Sequence, residues 1–299
     1  MKRVFIIGNG FDLNLGWKTG YRDFVESQYC PIENSGSSLS GFLAEKTMID
    51  RWFDLEAILR SYASIDNKQA ELPGTIWSDE KFFYQLREGL NVYLKNEMTR
   101  DVDTHSDAVA VLRSIVNSRL FGPIYSFNYT NLNQIAKQAG IHTPFSYSSV
   151  HGSIDNDSII LGIDDKTEVR KGYAFLRKVF NEHYKSHPIR YDLQECKEVV
   201  IFGHSLGDND YPYFRDFFKA QSQCVGRNSS KKITIFTKDN RSRMQILEQL
   251  RVMNDCATER LINDNDFTFI MTDSDDKTKL NEFLSHIDKE SKRKTIHVI

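Results

Sequence analysis

The apolar positions along this chain follow two rhythms. Val4-Phe5-Ile6-Ile7 is an unbroken run of β-branched and aromatic residues closed by a glycine turn, the pattern of a strand buried on both faces. Comparable runs recur at Leu120 to Phe127, Ser158 to Gly162, Val199 to Phe202, Ile233 to Phe236 and Phe267 to Met271. Between several of them the period lengthens. Over Arg241 to Met253, for example, Met244, Leu247, Leu250 and Met253 recur at helical spacing. Strand and helix alternating in this way predict an α/β protein on a doubly wound, Rossmann-type parallel sheet.

One stretch breaks the alternation. From Cys30 to Ser118, beyond a polar loop at Pro31 to Ser40, the patterns are long and amphipathic, with no strand-like run. Trp52, Leu55, Ile58 and Leu59 mark one apolar face, and Phe82, Leu86, Leu90 and Leu94 another. The expected organisation is a helical insert at 31–118 between the first two strands, with 1–30 and 119–299 forming a nucleotide-binding core. Lys166 to Asp192 reads as a second, charged helical excursion.

Composition narrows the function classes. Of 299 residues, 40% are hydrophobic and 27% charged, as in ordinary folded proteins. Thirty-nine basic residues face 41 acidic ones, a net charge of −2, so no strong field draws the chain onto nucleic acid or anionic lipid. No nucleic-acid partner is expected. The short basic run Lys289 to Lys294, interrupted by Glu290, reads as a solvated terminal stretch. No apolar run approaches the about 18–20 residues of a membrane span, and the first ends too soon for a signal-peptide core of about 7–15. Cys30, Cys196, Cys224 and Cys256 are scattered, without a Cys-x-x-Cys pair, which supports neither a zinc site nor a disulfide framework. A cytoplasmic protein with reduced thiols and no structural metal is the expectation.

Candidate chemistry gathers where strands should end, and the ligand crevice of an open α/β sheet lies beyond those ends. Gly8-Asn9-Gly10 follows the first strand, a turn that lets backbone N–H groups approach a pyrophosphate. Leu13 stands where the usual dinucleotide fingerprint has its third glycine, and Gly16 supplies the next one. Asp12 caps the following helix or bonds a ribose hydroxyl. In Ser126-Phe127-Asn128-Tyr129-Thr130-Asn131, Asn128 offers a donor and an acceptor to a ribose or a water, or else the turn caps the next helix. His151, in Val150-His151-Gly152-Ser153, is a candidate base near neutral pH. Gly203-His204-Ser205-Leu206-Gly207-Asp208-Asn209-Asp210 brings the chain close to a nucleotide and gives Ser205 a route to it, while Asp208 or Asp210 would cap the next helix. A competing arrangement has Asp164, Asp165, Asp208 and Asp210 holding Mg²⁺ for phosphodiester chemistry.

Taken together, these motifs are similar to those of a known family. Ile6-Ile7-Gly8-Asn9-Gly10-Phe11-Asp12-Leu13, Phe127-Asn128-Tyr129-Thr130, Val150-His151-Gly152 and Phe202-Gly203-His204-Ser205-Leu206 resemble, in order, segments of the AbiH family of bacterial abortive-infection proteins, as does Trp52-Phe53-Asp54-Leu55-Glu56. More distantly the set resembles the SIR2 superfamily. Gly8, Gly10 and Gly16 match its glycine motif, Asn128 its strand-end Asn, His151-Gly152 its catalytic histidine, and Gly203, Ser205 and Leu206 its ribose turn. Thr130 replaces the acidic residue two places after that Asn, Asp12 replaces a Ser, and the zinc-ribbon cysteines are absent, which argues against a protein deacylase.

The resemblance implies a SIR2-like core that binds NAD through Gly8, Asn9, Gly10, Asp12, Gly203, Ser205 and Leu206. It also implies hydrolysis of the nicotinamide–ribose bond, with His151 and Asn128 as the catalytic pair. A free NAD hydrolase harms its host, so low basal activity, a phage-derived trigger and self-assembly are further expectations. The alternatives are a Mg²⁺-dependent nuclease and a non-catalytic nucleotide sensor.

Overall fold

The computed structural model describes residues 2–32, 36–49, 54–64, 75–223 and 230–296. β1 (Lys2–Ile7), α1 (Asn9–Asn14) and α2 (Tyr21–Val25) lead into four helices, α3 (Ser38–Ile49), α4 (Leu55–Ala63), α5 (Thr75–Glu97) and α6 (Asp107–Ser118). β2 (Ile124–Ser126), α7 (Leu132–Gln138) and β3 (Ser148–Ser149) follow. Beyond a long irregular passage come α8 (Ile189–Glu195), β4 (Cys196–Phe202), α9 (Tyr211–Gln221), β5 (Lys232–Thr237), α10 (Asn240–Met253), α11 (Thr258–Asn263), β6 (Asp266–Met271) and α12 (Thr278–Ile296). Helix starts follow local chemistry. Asp54, Ser106, Asn131 and Asp239 each accept hydrogen bonds from backbone N–H groups in the first turn of α4, α6, α7 and α10.

The six strands form one parallel sheet in the order β3-β2-β1-β4-β5-β6. Successive connections run outward in one direction from β1 and in the other from β4, so the order reverses between these two central strands. Alternate side chains of each strand enter opposite layers. Phe5, Ile7, Val200, Phe202 and Phe236 pack on one face with α1, α3 to α7 and α12. Val4, Ile6, Val199, Ile201, Ile233 and Ile235 pack on the other with α8 to α11. The expected α/β sheet is present, and the 31–118 stretch is helical where described, its apolar faces merged into the core over β1 and β4.

Two local expectations need correction. Ser158 to Gly162 is not a strand. Ile159, Ile160 and Leu161 are buried, but this stretch runs as irregular chain between Gly152 and Gly162, both at positive φ, with Ile160 N–H donating to the His151 carbonyl. A short apolar run carries no period that tells a strand from a buried loop. The third strand is instead Ser148–Ser149, paired with Tyr125 and Ser126, directly before His151. The 166–192 excursion is mostly turns and short 3₁₀ segments, and regular α-helix begins only at Ile189.

The C-terminal basic run lies along α12 with Lys289, Lys292, Arg293 and Lys294 all exposed to solvent, as expected of a solvated stretch. From α12, Glu290 pairs with Arg3 at 2.9 Å, and Arg3 also holds Glu198 at 2.8 Å. Cys30, Cys196 and Cys256 are free thiols; Cys224 and Trp52 lie outside the described residues. No helix among the described residues is long and apolar enough to cross a membrane.

Candidate functional site

The turns after β1 and β4 lock together backbone to backbone. Gly8 N–H donates to Phe202 O at 2.9 Å, and Gly10 N–H to Gly203 O at 2.8 Å. A Cβ on Gly10 would lie 2.7 Å from Gly203 Cα, and one on Gly203 2.4 Å from Phe11 N. Gly203 also adopts φ +66°. These glycines are therefore demanded by the approach of two chain segments, whatever is bound there. The N–H groups of Gly8, Gly10 and Phe11 are all spent inside the protein, the last on Gly8 O. A side chain adds a further donor at this turn, beside the Asn9 N–H at the start of α1. Asn9 is exposed and its Oδ1 accepts from Thr19 Oγ1 at 2.7 Å, which turns the amide NH₂ outward as a free donor.

Asp12 is 1% exposed and does not cap α1. Asn128 Nδ2 donates to its Oδ1 and Thr130 Oγ1 to its Oδ2, both at 2.8 Å. Burial, opposed by these hydrogen bonds, pushes the Asp12 carboxyl up to about 7. Asn128 Nδ2 also reaches Gly8 O at 3.1 Å, so one amide ties the end of β2 to the turn after β1. Both of its amide hydrogens are thus engaged, and the Oδ1 acceptor has no partner among the described residues. Capping of the next helix falls to Asn131 instead.

His151 and His204 flank a single carboxylate. Asp210 Oδ1 lies 2.7 Å from His151 Nε2 and Oδ2 lies 3.2 Å from His204 Nε2. Phe127 wedges against both rings, with centroids 5.3 Å and 4.4 Å away. Leu206 N–H donates to His204 Nδ1 at 2.9 Å, so that ring carries its proton on Nε2. Burial and the Lys178 ammonium hold the His151 imidazole below its usual range, against the pull of Asp210. Burial alone would raise Asp210, but His151, Lys178 and the hydrogen bonds from both imidazoles keep it well below the carboxylate range. Asp210 is the ionised member and His151 the neutral one. His151 then presents its proton to Asp210 and keeps a lone pair on Nδ1, which has no hydrogen-bond partner among the described residues. Asp210 occupies the N-cap position of α9 without bonding its N–H groups, because the histidines claim its oxygens.

The insert roofs this site. From α4, Glu56 accepts from Lys178 Nζ at 2.8 Å and from Asn209 Nδ2 at 2.9 Å. Burial pushes Glu56 up to about 7, although Lys178 pulls the other way. Arg60, one turn further along α4, bonds Asn209 Oδ1, Asp164 and Asp208. Tyr21 and Tyr129 face each other across 3.3 Å between their hydroxyls.

All the expected positions lie beyond the C-terminal ends of β1, β2, β3 and β4, with differing environments. His151 (7% exposed) and Asn128 are buried, and Asn9 and Ser205 are exposed. Leu206 is wholly buried in the core beneath, at φ +55°, and its N–H is spent on His204, so its side chain is closed to a ligand. The four aspartates of the Mg²⁺ arrangement do not converge. Asp164 and Asp208 share Arg60, Asp165 pairs with Arg177, and Asp210 lies between imidazoles. No group of three potential metal ligands is assembled among the described residues.

Sequence reading missed Lys178, which lies in none of the motifs, and the links from Arg60 and Asn209. Glu56 was visible only as part of the Trp52 to Glu56 motif.

The parallel sheet and its reversal between β1 and β4 define a Rossmann-like α/β protein, with the candidate residues beyond those strands. The family model for bacteriophage abortive infection AbiH proteins matches residues 4–226, and the chain belongs to that family. Membership supports an anti-phage, abortive-infection role.

Proposed function

We propose that this abortive-infection protein binds NAD or a related adenine dinucleotide at the crevice between β1 and β4 and hydrolyses its nicotinamide–ribose bond. The observation that carries the reading is a neutral His151, oriented by the ionised Asp210, beside interlocked glycine turns at the point where the strand order reverses. Asn9 and Ser205, exposed on the two turns, suit the pyrophosphate and the adjoining ribose. The free Oδ1 of Asn128 suits a ribose hydroxyl or the attacking water. In the reaction the glycosidic bond breaks with its electron pair passing to the nicotinamide nitrogen. Water bonds to the anomeric carbon and yields a proton to His151 Nδ1. Low turnover until a phage component or self-assembly acts belongs to the same reading, because α4 roofs the site.

The test is to incubate the purified protein with NAD, with and without Mg²⁺ and phage-infected extract, and to measure nicotinamide release. His151→Ala should lower release by about 10²-fold or more. Equal release from the variant removes His151 from the chemistry. Nucleic-acid cleavage abolished by EDTA, with NAD intact, would move the protein to the nuclease class, and tight NAD binding without product would make it a sensor.

A further inference from the structure

No hydrogen bond joins Asn209 to His151 among the described residues, yet the Asn209 side chain is held at both ends. Its Oδ1 accepts from Arg60, and its Nδ2 donates to Glu56 Oε2 at 2.9 Å. Glu56 and Arg60 are four residues apart on α4 and so share one face of the helix. Asn209 immediately precedes Asp210, whose carboxylate holds His151 Nε2 at 2.7 Å.

Packing alone gives little reason for this clamp. Glu56 and Lys178 form a buried ion pair, and a buried pair is often matched or bettered in stability by apolar residues of similar size. The Nε of Arg60 is buried with no hydrogen-bond partner, a cost that the helix accepts in order to aim its NH groups at Asn209, Asp164 and Asp208.

We propose that α4 governs His151 from a distance: Glu56 and Arg60 fix Asn209, which fixes Asp210 against the imidazole, so the insert is the regulator of the base. Asn209, Glu56 and Arg60 are positioning residues. A partner that shifts α4 would release Asp210 and change which nitrogen of His151 carries the proton. The catalytic consequence rests on the NAD-hydrolase reading, but the link from α4 to the imidazole does not.

The groups facing His151 and Asp210 are Lys178 from the irregular passage after β3 and His204 from the turn after β4, with Glu56 from α4, Tyr129 from the turn after β2 and Tyr213 from α9 reaching Asp210. None of these residues is itself replaced in Asn209→Ala or Arg60→Ala, and only Glu56 loses a hydrogen bond, the one it accepts from Asn209. The experiment follows the imidazole ¹⁵N resonances of the full chain labelled at histidine, from pH 5 to 8.5, with His151 assigned by its loss in His151→Gln.

The wild type should show a single tautomer protonated at Nε2. Asn209→Ala should give a mixture of tautomers and a His151 midpoint lower by about half a unit or more, because the carboxylate that favours the imidazolium is no longer held close. Arg60→Ala, on a residue with some solvent exposure, should move both in the same direction and serves if Asn209→Ala does not fold. His151 signals unchanged in the folded variants overturn the proposal. Shifted signals in a protein that never releases nicotinamide uphold the link and discard the hydrolase reading instead.

Discussion

Replacing Asp210 with asparagine isolates the charge that lies between the two histidines. Both imidazoles donate to Asp210, and for His204 this is obligatory because Leu206 N–H already occupies its Nδ1. An amide has one acceptor oxygen and one NH₂. If the oxygen stays with His204, the NH₂ faces His151 Nε2, and that ring must accept there and carry its proton on Nδ1. The lone pair proposed to receive a proton from water then disappears, while every ring contact with Phe127 is kept. Loss of a properly oriented base costs about 10²–10⁴ in rate, or about 3–5 kcal/mol of transition-state stabilisation. Asp210→Asn should therefore lower the kcat for nicotinamide release by that factor, with dinucleotide affinity, measured by calorimetry, changed less than about threefold. Turnover within twofold of the wild type would refute the assignment of Asp210 as the group that sets the His151 tautomer.

Two further substitutions test the scaffold. Gly203→Ala places a Cβ 2.4 Å from backbone atoms of Gly10 and Phe11 at a positive φ, and should cost about 3 kcal/mol or more in denaturant unfolding, whereas Gly16→Ala, with open space around it, should cost about 1 kcal/mol. The folded Asp12 carboxyl keeps its proton up to about pH 7, while an unfolded one releases it near pH 4, so the native state binds the extra proton and stability falls as pH rises between these values. Asp12→Asn preserves the shape without the ionisation. It should be more stable than the wild type at pH 8 by about 1–3 kcal/mol and lose that advantage at pH 4, and equal differences at the two pH values would contradict this.

The parts of the fold that were legible in the sequence are those with a long signal. β1, β4 and β5 are buried on both faces, and four consecutive apolar residues announce the first two, while Ile233, Ile235 and Phe236 around a buried Thr234 announce the third. β3 comprises two serines at the sheet edge, too short and too polar to show any period, while the apolar 158–162 segment imitated the missing strand. His151 and Asn128 were recognisable because glycines and polar residues cluster at strand ends. What they bond to was not. Asp210 could be seen as a carboxylate, but only the closure of the sheet brings it between two imidazoles. Lys178 meets Glu56 across 122 positions of chain, and no spacing rule reaches that far.

The long reach of the bond between Asn209 and Glu56, 153 positions, bears on how the protein is made. A ribosome that has finished the insert and β3 has produced His151 but not the carboxylate that polarises it. Until the turn after β4 emerges from the exit tunnel, the nascent chain has no assembled centre, and the same holds for any fragment that ends earlier. If the proposed hydrolysis is the protein's activity, the order of synthesis alone keeps it from appearing before the chain is nearly complete.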